Sequence, residues 1–324
     1  MKPKLVLVNV PYQSESLFHS TWFTSIIHQY FDIDYYQPDI RYSANTVFVM
    51  GCNTYLGTNL RQQFEHRRVI VDALWESNTG KWAGCFHNTY PSHFIMYGNQ
   101  ENVVDPKLHY VPNWFWYNES LWYIERGYHK FFPRRTYNKK FLMPLGKSRG
   151  WRTELVQALG TRLDDALWSY PAEGRLLPGT ATAKKMDHRW LNPDWFNNTC
   201  FSVVAESFRE PASAVVFLTE KTYKPIACRH PFMVYAATGV LNLLRTQGFE
   251  TFNNLFDESY DTVGFDKKLD IIGLNIDRYA KQQYDSITLE KIEHNYQRFF
   301  NRGVVETGIV KDIICPIIKW IEKQ

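Results

Sequence analysis

The sequence predicts an α/β protein made of two Rossmann-like domains facing a cleft, and three observations predict it. Short unbroken apolar runs recur along the chain, separated by segments long enough for a helix, as expected of strands buried on both faces of a parallel sheet. The runs fall into two series, one on each side of a basic stretch in the middle of the chain. A length of 324 residues suits two domains of ordinary size sharing a cleft.

The first series begins with residues 5–10, Leu-Val-Leu-Val-Asn-Val, which Pro11 ends. Residues 15–31 are expected as the following helix, and residues 46–50 as the next strand, stopped at Gly51. Arg68–Ala73 and His93–Tyr97 continue the alternation. The second series holds strands at 140–145, 166–170, 201–205 and 231–235, the last opened by Pro231. Residues 171–199, punctuated by Pro171, Pro178, Gly179 and Pro193, read as an insertion or lid-like loop. Residues 286–300 and 308–322 interleave charged and apolar positions as amphipathic helices do. The expected division is 1–135, 136–285 and a terminal helical segment 286–324.

Composition excludes several classes. Hydrophobic residues make up 44% of the chain and charged residues 22%, which places it among globular proteins rather than disordered ones. Cysteines at 52, 85, 200, 228 and 315 are odd in number, with no C-x-x-C spacing and no clustered histidines, so neither a zinc site nor a disulfide framework is expected. Met1-Lys2-Pro3-Lys4 leads straight into a strand, and no apolar run has the length of a membrane span. The expectation is a soluble protein of a reducing, cytoplasmic compartment with no membrane partner. The oligomeric state is left open.

Residues 217–261 carry the clearest chemical pattern. Thr219 is placed to cap a helix whose first turn holds Glu220 and Lys221, and the free N–H groups of such a terminus attract phosphate. Lys221 and Lys224, three residues apart, share a helical face and would stabilise the charge on a departing diphosphate. Upstream, the 140–145 strand runs into the basic loop Gly146-Lys147-Ser148-Arg149-Gly150-Trp151-Arg152, ahead of a helix expected to start near Thr153. A strand, a basic loop and a helix in that order make an anion site at the carboxyl end of a sheet, which brings in Lys147, Arg149 and Arg152. These glycines match neither a dinucleotide fingerprint nor a P-loop. A third strand, at 201–205, delivers Glu206 to its end.

In this order of Arg152-Thr153-Glu154-Leu155-Val156, a strand ending in Glu206, Thr219-Glu220-Lys221, Lys224, a helix stopped at Gly248 and an acidic turn at Asp257, Glu258 and Asp261, the chain resembles a fucosyltransferase-like glycosyltransferase of the soluble kind found in phages and large DNA viruses. The resemblance covers about residues 140–262. It implies the two-domain arrangement called GT-B, terminal helices leaning back on the first domain, a nucleotide-sugar as co-substrate, no bound cofactor, and Glu206 as a donor contact. No metal is expected, because lysines and a helix N-terminus can neutralise the diphosphate. The acidic turn is read as structural or as a contact to sugar hydroxyls, since a calcium loop needs a longer, glycine-punctuated pattern.

An inverting transfer needs a base opposite the leaving diphosphate, and in this arrangement the first domain would supply it. Asp72 and Glu76 are the candidates at the end of a strand, Glu76 preferred, with Trp75 beside it as a wall for a sugar or base. Residues 126–152 hold nine Lys or Arg and no acid, interleaved with Tyr128, Phe131, Phe132, Tyr137 and Trp151. Such a segment suits a polyanion with stackable bases, so duplex DNA bearing a hydroxymethylated pyrimidine is the preferred acceptor, with Arg134 and Arg135 on its backbone. The alternatives are a surface glycan as acceptor and a non-catalytic nucleic-acid-binding protein.

Overall fold

The computed structural model describes residues 2–8, 21–51, 63–74, 92–97, 108–178, 189–207, 216, 218–280 and 283–323. The chain divides into two compact units, Met1–Trp122 with Arg302–Gln324, and Tyr123–Asn301.

Among the described residues the first unit holds a six-stranded sheet in the order β2-β1-β3-β4-β5-β6, formed by β1 (Lys4–Leu7), β2 (Asp32–Tyr35), β3 (Val47–Gly51), β4 (Arg68–Ala73), β5 (His93–Tyr97) and β6 (Leu108–Tyr110). Every pairing is parallel, with Val6 level with Phe48 and Val69 level with His93. The apolar runs explain the strands directly: Leu5, Val6, Leu7, Val69, Ile70 and Val71 are wholly buried, which requires both sheet faces to be covered. Helix α1 (Thr21–Tyr30) turns Phe23, Ile26 and Ile27 inward, the i, i+3, i+4 spacing of one helical stripe. Helix α2 (Trp114–Glu125) is buried from Trp114 through Tyr123, and the division between the units falls within it.

The end of the chain returns to the first unit as α9 (Arg302–Ile309), a π-helical turn (Val310–Ile314) and α10 (Cys315–Lys323). The π turn coincides with contacts from distant residues of the same unit. The Asp312 carboxylate accepts from the Tyr117 hydroxyl at 2.7 Å and from Asn113 Nδ2 at 3.2 Å, and its carbonyl lies 2.6 Å from His109 Nε2, so this turn is pulled out of the α ladder. A Cβ at Gly308 would collide with the Tyr117 ring and hydroxyl, so only glycine lets α9 approach this closely. Trp320 stacks on Phe94 at 5.5 Å, and Arg68 lies over the same indole while donating to the Ile321 carbonyl.

Among the described residues the second unit has a four-stranded parallel sheet in the order β10-β9-β7-β8, from β7 (Lys139–Pro144), β8 (Ala166–Ser169), β9 (Thr199–Ala205) and β10 (Phe232–Tyr235). Its helices are α3 (Gly150–Leu159), α4 (Pro193–Asn197), α5 (Glu220–Ala227), α6 (Val240–Thr246), α7 (Phe265–Arg278) and α8 (Ser286–Phe300). Central β9 is buried at all seven positions, and Phe201 within it packs against Phe141, Phe256 and Tyr279.

Several expectations change. The sequence division set a boundary at 135/136, whereas the structure groups 123–301 together; of the terminal segment 286–324, expected to lean back on the first domain, only 302–324 belong to the first unit. Helix α8 stays with the second unit because Tyr296 and Phe299 are buried there, Phe299 stacking on Tyr223 of α5 at 5.9 Å. Helix α3 starts at Gly150 rather than near Thr153, since the Arg149 carbonyl already accepts from the Arg152 and Thr153 amides. Of the lid-like stretch 171–199, residues 171–178 form a turn closed by a Tyr170–Arg175 bridge, Arg175 lying 4.4 Å from the Trp168 ring centre. Residues 179–188 lie outside the described residues.

Candidate functional site

The carboxyl ends of β7 and β9 bring the sequence-predicted donor residues into one place. Helix α5 starts where the sequence places it: Thr219 is extended, and its hydroxyl accepts from the Lys221 amide at 3.4 Å. Pro225 sits inside this helix, which ends within three residues, at Cys228. Arg229 then takes a left-handed conformation (φ 50°), unusual for a side-chain-bearing residue. It is held by Glu293 at 3.1 Å, by the Phe131 carbonyl at 2.8 Å and by the Tyr296 ring beneath its guanidinium.

Glu206 has a different task from the donor contact expected of it. It is wholly buried, and each carboxylate oxygen accepts two hydrogen bonds. Oε1 takes the Thr219 amide at 2.9 Å and the Thr222 hydroxyl at 2.6 Å, while Oε2 takes the Thr219 hydroxyl at 2.6 Å and the Ser207 amide at 3.1 Å. A carboxylate has about four acceptor positions, so none is left for a sugar hydroxyl. Its negative charge at the start of α5 satisfies an orphan amide and complements the helix dipole. Glu206 therefore ties the end of β9 to the start of α5.

Arg152 is also turned to structure. It is buried; Nη1 donates to the Lys147 carbonyl at 3.1 Å, and Nη2 to the carbonyls of Ala205 at 3.0 Å and Glu206 at 3.2 Å. Burial holds its pKa below the ordinary guanidinium value, neighbouring Arg149 adds to this, and Glu206 and Glu220 oppose it. The guanidinium thus pins the basic loop to the end of β9, stacked over Trp151 at 4.9 Å. Its role as a phosphate ligand gives way to one as a brace, while exposed Lys147 and Arg149 keep the surface.

What remains at the surface converges on Ser207, a residue the sequence reasoning missed. Arg149 Nη1 donates to its carbonyl at 3.2 Å, and Lys221 Nζ to its hydroxyl at 3.1 Å. Lys221 also bonds Thr219 Oγ1 at 3.1 Å and pairs with Glu220 Oε1 at 2.6 Å. Glu220 is buried, whereas Lys221 and, one turn on, Lys224 are half-buried. Ser207 directly follows the strand-end Glu206, and a hydroxyl at that position was the available signal.

The acidic turn is structural. Asp257 accepts from the Ser259 amide at 2.9 Å, and these Ser259 hydrogen bonds hold its pKa down. Glu258 pairs with Arg245, and Asp261 accepts from the Leu241 amide at 3.1 Å at the start of α6. Burial raises the pKa of both. Among the described residues no three His, Cys, Asp or Glu side chains cluster as a metal site.

The acceptor-side expectations divide. Arg135 is directed inward: its guanidinium donates to the carbonyls of Phe196, Cys228 and Arg229, so it is spent on the fold rather than on a phosphate backbone. Burial lowers its pKa. Arg134 is exposed and touches Asn197 only through its backbone amide, at 2.9 Å. In the first unit Asp72 is buried near the end of β4, where its carboxylate accepts from the Leu74 amide at 3.3 Å. Trp75 and Glu76 lie outside the described residues.

No family model matches the sequence, and no curated protein is significantly similar to it. Among solved structures, an α1,3-fucosyltransferase superposes with a TM-score of 0.51 at 12% identity, over 93% of this chain and 90% of its own. An α1,3-fucosyltransferase with GDP-fucose gives 0.45 at 9% identity, over 93% and 91%. CalG4, the calicheamicin glycosyltransferase, gives 0.34 at 10% identity, over 96% and 99%. Among the described residues no helix is long and apolar enough to cross a membrane. With two α/β units on parallel sheets, the chain shares the GT-B fold with that α1,3-fucosyltransferase.

Proposed function

We propose that this protein is a glycosyltransferase that moves a sugar from a nucleotide-sugar to an acceptor hydroxyl. The observation that carries the reading is the meeting of Arg149 and Lys221 on Ser207, at the carboxyl end of β9 and the start of α5. Ligands of parallel sheets bind at strand carboxyl ends, and helix starts favour anions. The fold shared with an α1,3-fucosyltransferase supports the same reading. In it, Lys221, Lys224 and Arg149 bind the diphosphate and stabilise its charge as the glycosidic bond breaks. Glu206 and Arg152 hold those groups in place, Glu220 orients Lys221, and a carboxylate of the first unit, Glu76 or Asp72, takes the acceptor proton. The diphosphate charge is neutralised by these side chains, without a metal.

A glycan hydroxyl is the acceptor the geometry favours. The DNA reading rests on the basic segment 126–152, yet Arg135, Lys139, Lys140 and Arg152 of that segment all donate to backbone carbonyls of their own unit. With those four engaged within the unit, the segment leaves Arg126, Lys130, Arg134, Lys147 and Arg149 for a phosphate backbone; of these Arg126 lies 4.0 Å from Glu125 and Arg149 belongs to the proposed donor site, a small remainder for the salt-dependent binding of a duplex. The test is mass spectrometry of a nucleotide-sugar panel, GDP-fucose included, incubated with glycans and with hydroxymethylated duplex DNA, with and without EDTA. Transfer to a glycan that persists in EDTA is expected. Modified DNA alone would restore the duplex acceptor, and no transfer from any donor would remove the enzyme reading.

A further inference from the structure

The first unit contains a cavity of about 370 Å3, the size of a small-ligand pocket. Its walls include Tyr36, Tyr42, Phe48 and Phe64, four rings fixed against one another: Tyr36 stacks with Tyr42 at 5.6 Å, Tyr42 meets Phe48 edge-on at 5.3 Å, and Phe48 meets Phe64 at 4.7 Å. Tyr42 is held further by its hydroxyl, which accepts the Gln37 amide at 2.6 Å. The polar lining includes Arg41, Gln63 and Arg67, with no carboxylate among the described lining residues. Among the described residues the Arg67 guanidinium makes long contacts, from Nη1 to the carbonyls of Tyr42 and Ser43 at 3.5 and 3.4 Å. Arg41 is exposed. Two guanidinium groups beside an aromatic wall, with no carboxylate among the described lining residues, call for a ligand with one anionic group and one flat apolar face.

We propose that this cavity binds a sugar residue bearing a carboxylate or a phosphate, the aromatic wall taking the C–H face of the ring and Arg41 with Arg67 taking the anion. A guanidinium matches either oxyanion through paired hydrogen bonds. The site lies in the first unit, apart from the donor residues on β7, β9 and α5, and gives the transferase an anchor for an acidic glycan. The anionic half of the inference rests on the cavity alone, and the sugar half rests on the transferase reading.

Titration calorimetry on the full chain tests it, with methyl glucuronide, glucose 6-phosphate, methyl glucoside and inorganic phosphate as probes. At least one of the two anionic sugars is expected to bind about tenfold or more tighter than methyl glucoside and than inorganic phosphate. The tighter of the two identifies the source as an acidic or a phosphorylated sugar. Arg41→Ala is expected to weaken that binding about tenfold and Arg41→Glu to abolish it. Both variants should melt as the wild type does, because Arg41 is exposed, and both should keep nucleotide binding. Equal affinity for methyl glucoside, equal affinity for inorganic phosphate, no binding by either anionic sugar, or unchanged binding in Arg41→Glu would each overturn the proposal. Anionic-sugar binding by a protein that transfers from no donor would leave the cavity assignment standing and remove the transferase reading. Transfer without anionic-sugar binding would do the reverse.

Discussion

Glu206 shows how one buried carboxylate fixes the start of a helix against the end of a strand. Its four accepted bonds join β9 to the first turn of α5, so the amides and lysines there are fixed before any ligand arrives. Glu206→Gln is nearly isosteric but presents an NH2 group to donors. It should destabilise the protein by about 1–3 kcal/mol and weaken nucleotide affinity in parallel. Urea titration and nucleotide calorimetry on the same variant read the two effects, and unchanged affinity would mean that α5 is positioned by other contacts. The start of α5 was legible in the sequence because Thr219, Glu220 and Lys221 act locally, through a cap and a first helical turn. The roles of Glu206, Arg135 and Arg152 were not, because a charged residue in a sequence reads as surface until the carbonyls or hydroxyls that satisfy it are brought in from far along the chain. For Arg135 these carbonyls are at Phe196, Cys228 and Arg229.

Among the elements, the strands buried on both faces were the legible ones. β3, β4 and β9 each carry a run of apolar residues, interrupted only by Asp72 in β4 and Ser202 in β9, as burial on two faces favours. β2 and β6 were missed because each lies at an edge of the sheet and reads Asp-Ile-Asp-Tyr or Leu-His-Tyr, short and half-exposed. Helix α2 was missed for the opposite reason: buried nearly all round, it shows no polar face and hence no helical period. The π turn at Val310–Ile314 is set by Tyr117, Asn113 and His109, which are distant in sequence. Gly308 is the local requirement of that packing. Gly308→Ala, favourable in an unencumbered helix, should instead cost about 1–3 kcal/mol by driving a methyl into Tyr117. A rise in the melting temperature of this variant would show that α9 does not approach Tyr117 so closely.

On the scale of the molecule, stability is coupled to pH through a buried lysine on the second unit. Lys268 is wholly buried, donates to the Ala236 carbonyl at 2.7 Å just past β10, and has its pKa lowered to about 8 by burial, with Asp261 opposing the shift. The unfolded chain keeps this proton up to about pH 10.4, so between pH 8 and about 10 the unfolded state holds more proton than the folded one. Wild-type stability should therefore rise through that window relative to Lys268→Met, by up to about 1.4 kcal/mol per pH unit. Above pH 10 the raised pKa values of Tyr260, Tyr279 and Tyr284 act in the opposite direction, which confines the test to the lower interval. Parallel pH slopes for the two proteins would place an ordinary, solvated lysine at this position.

If the β9–α5 junction of the second unit holds the diphosphate of a nucleotide-sugar, titration of nucleoside diphosphates into wild type and an Arg149→Ala, Lys221→Ala, Lys224→Ala triple variant will separate the two proteins. Removing one charged group that contacts the reacting anion costs about 3 kcal/mol in the transition state. Ground-state affinity for at least one nucleoside diphosphate should fall at least about tenfold, with the far-ultraviolet circular dichroism and melting of the variant close to those of the wild type. A diphosphate that binds the variant as tightly as the wild type, or a wild type that binds none, would contradict the assignment of this junction as the donor site.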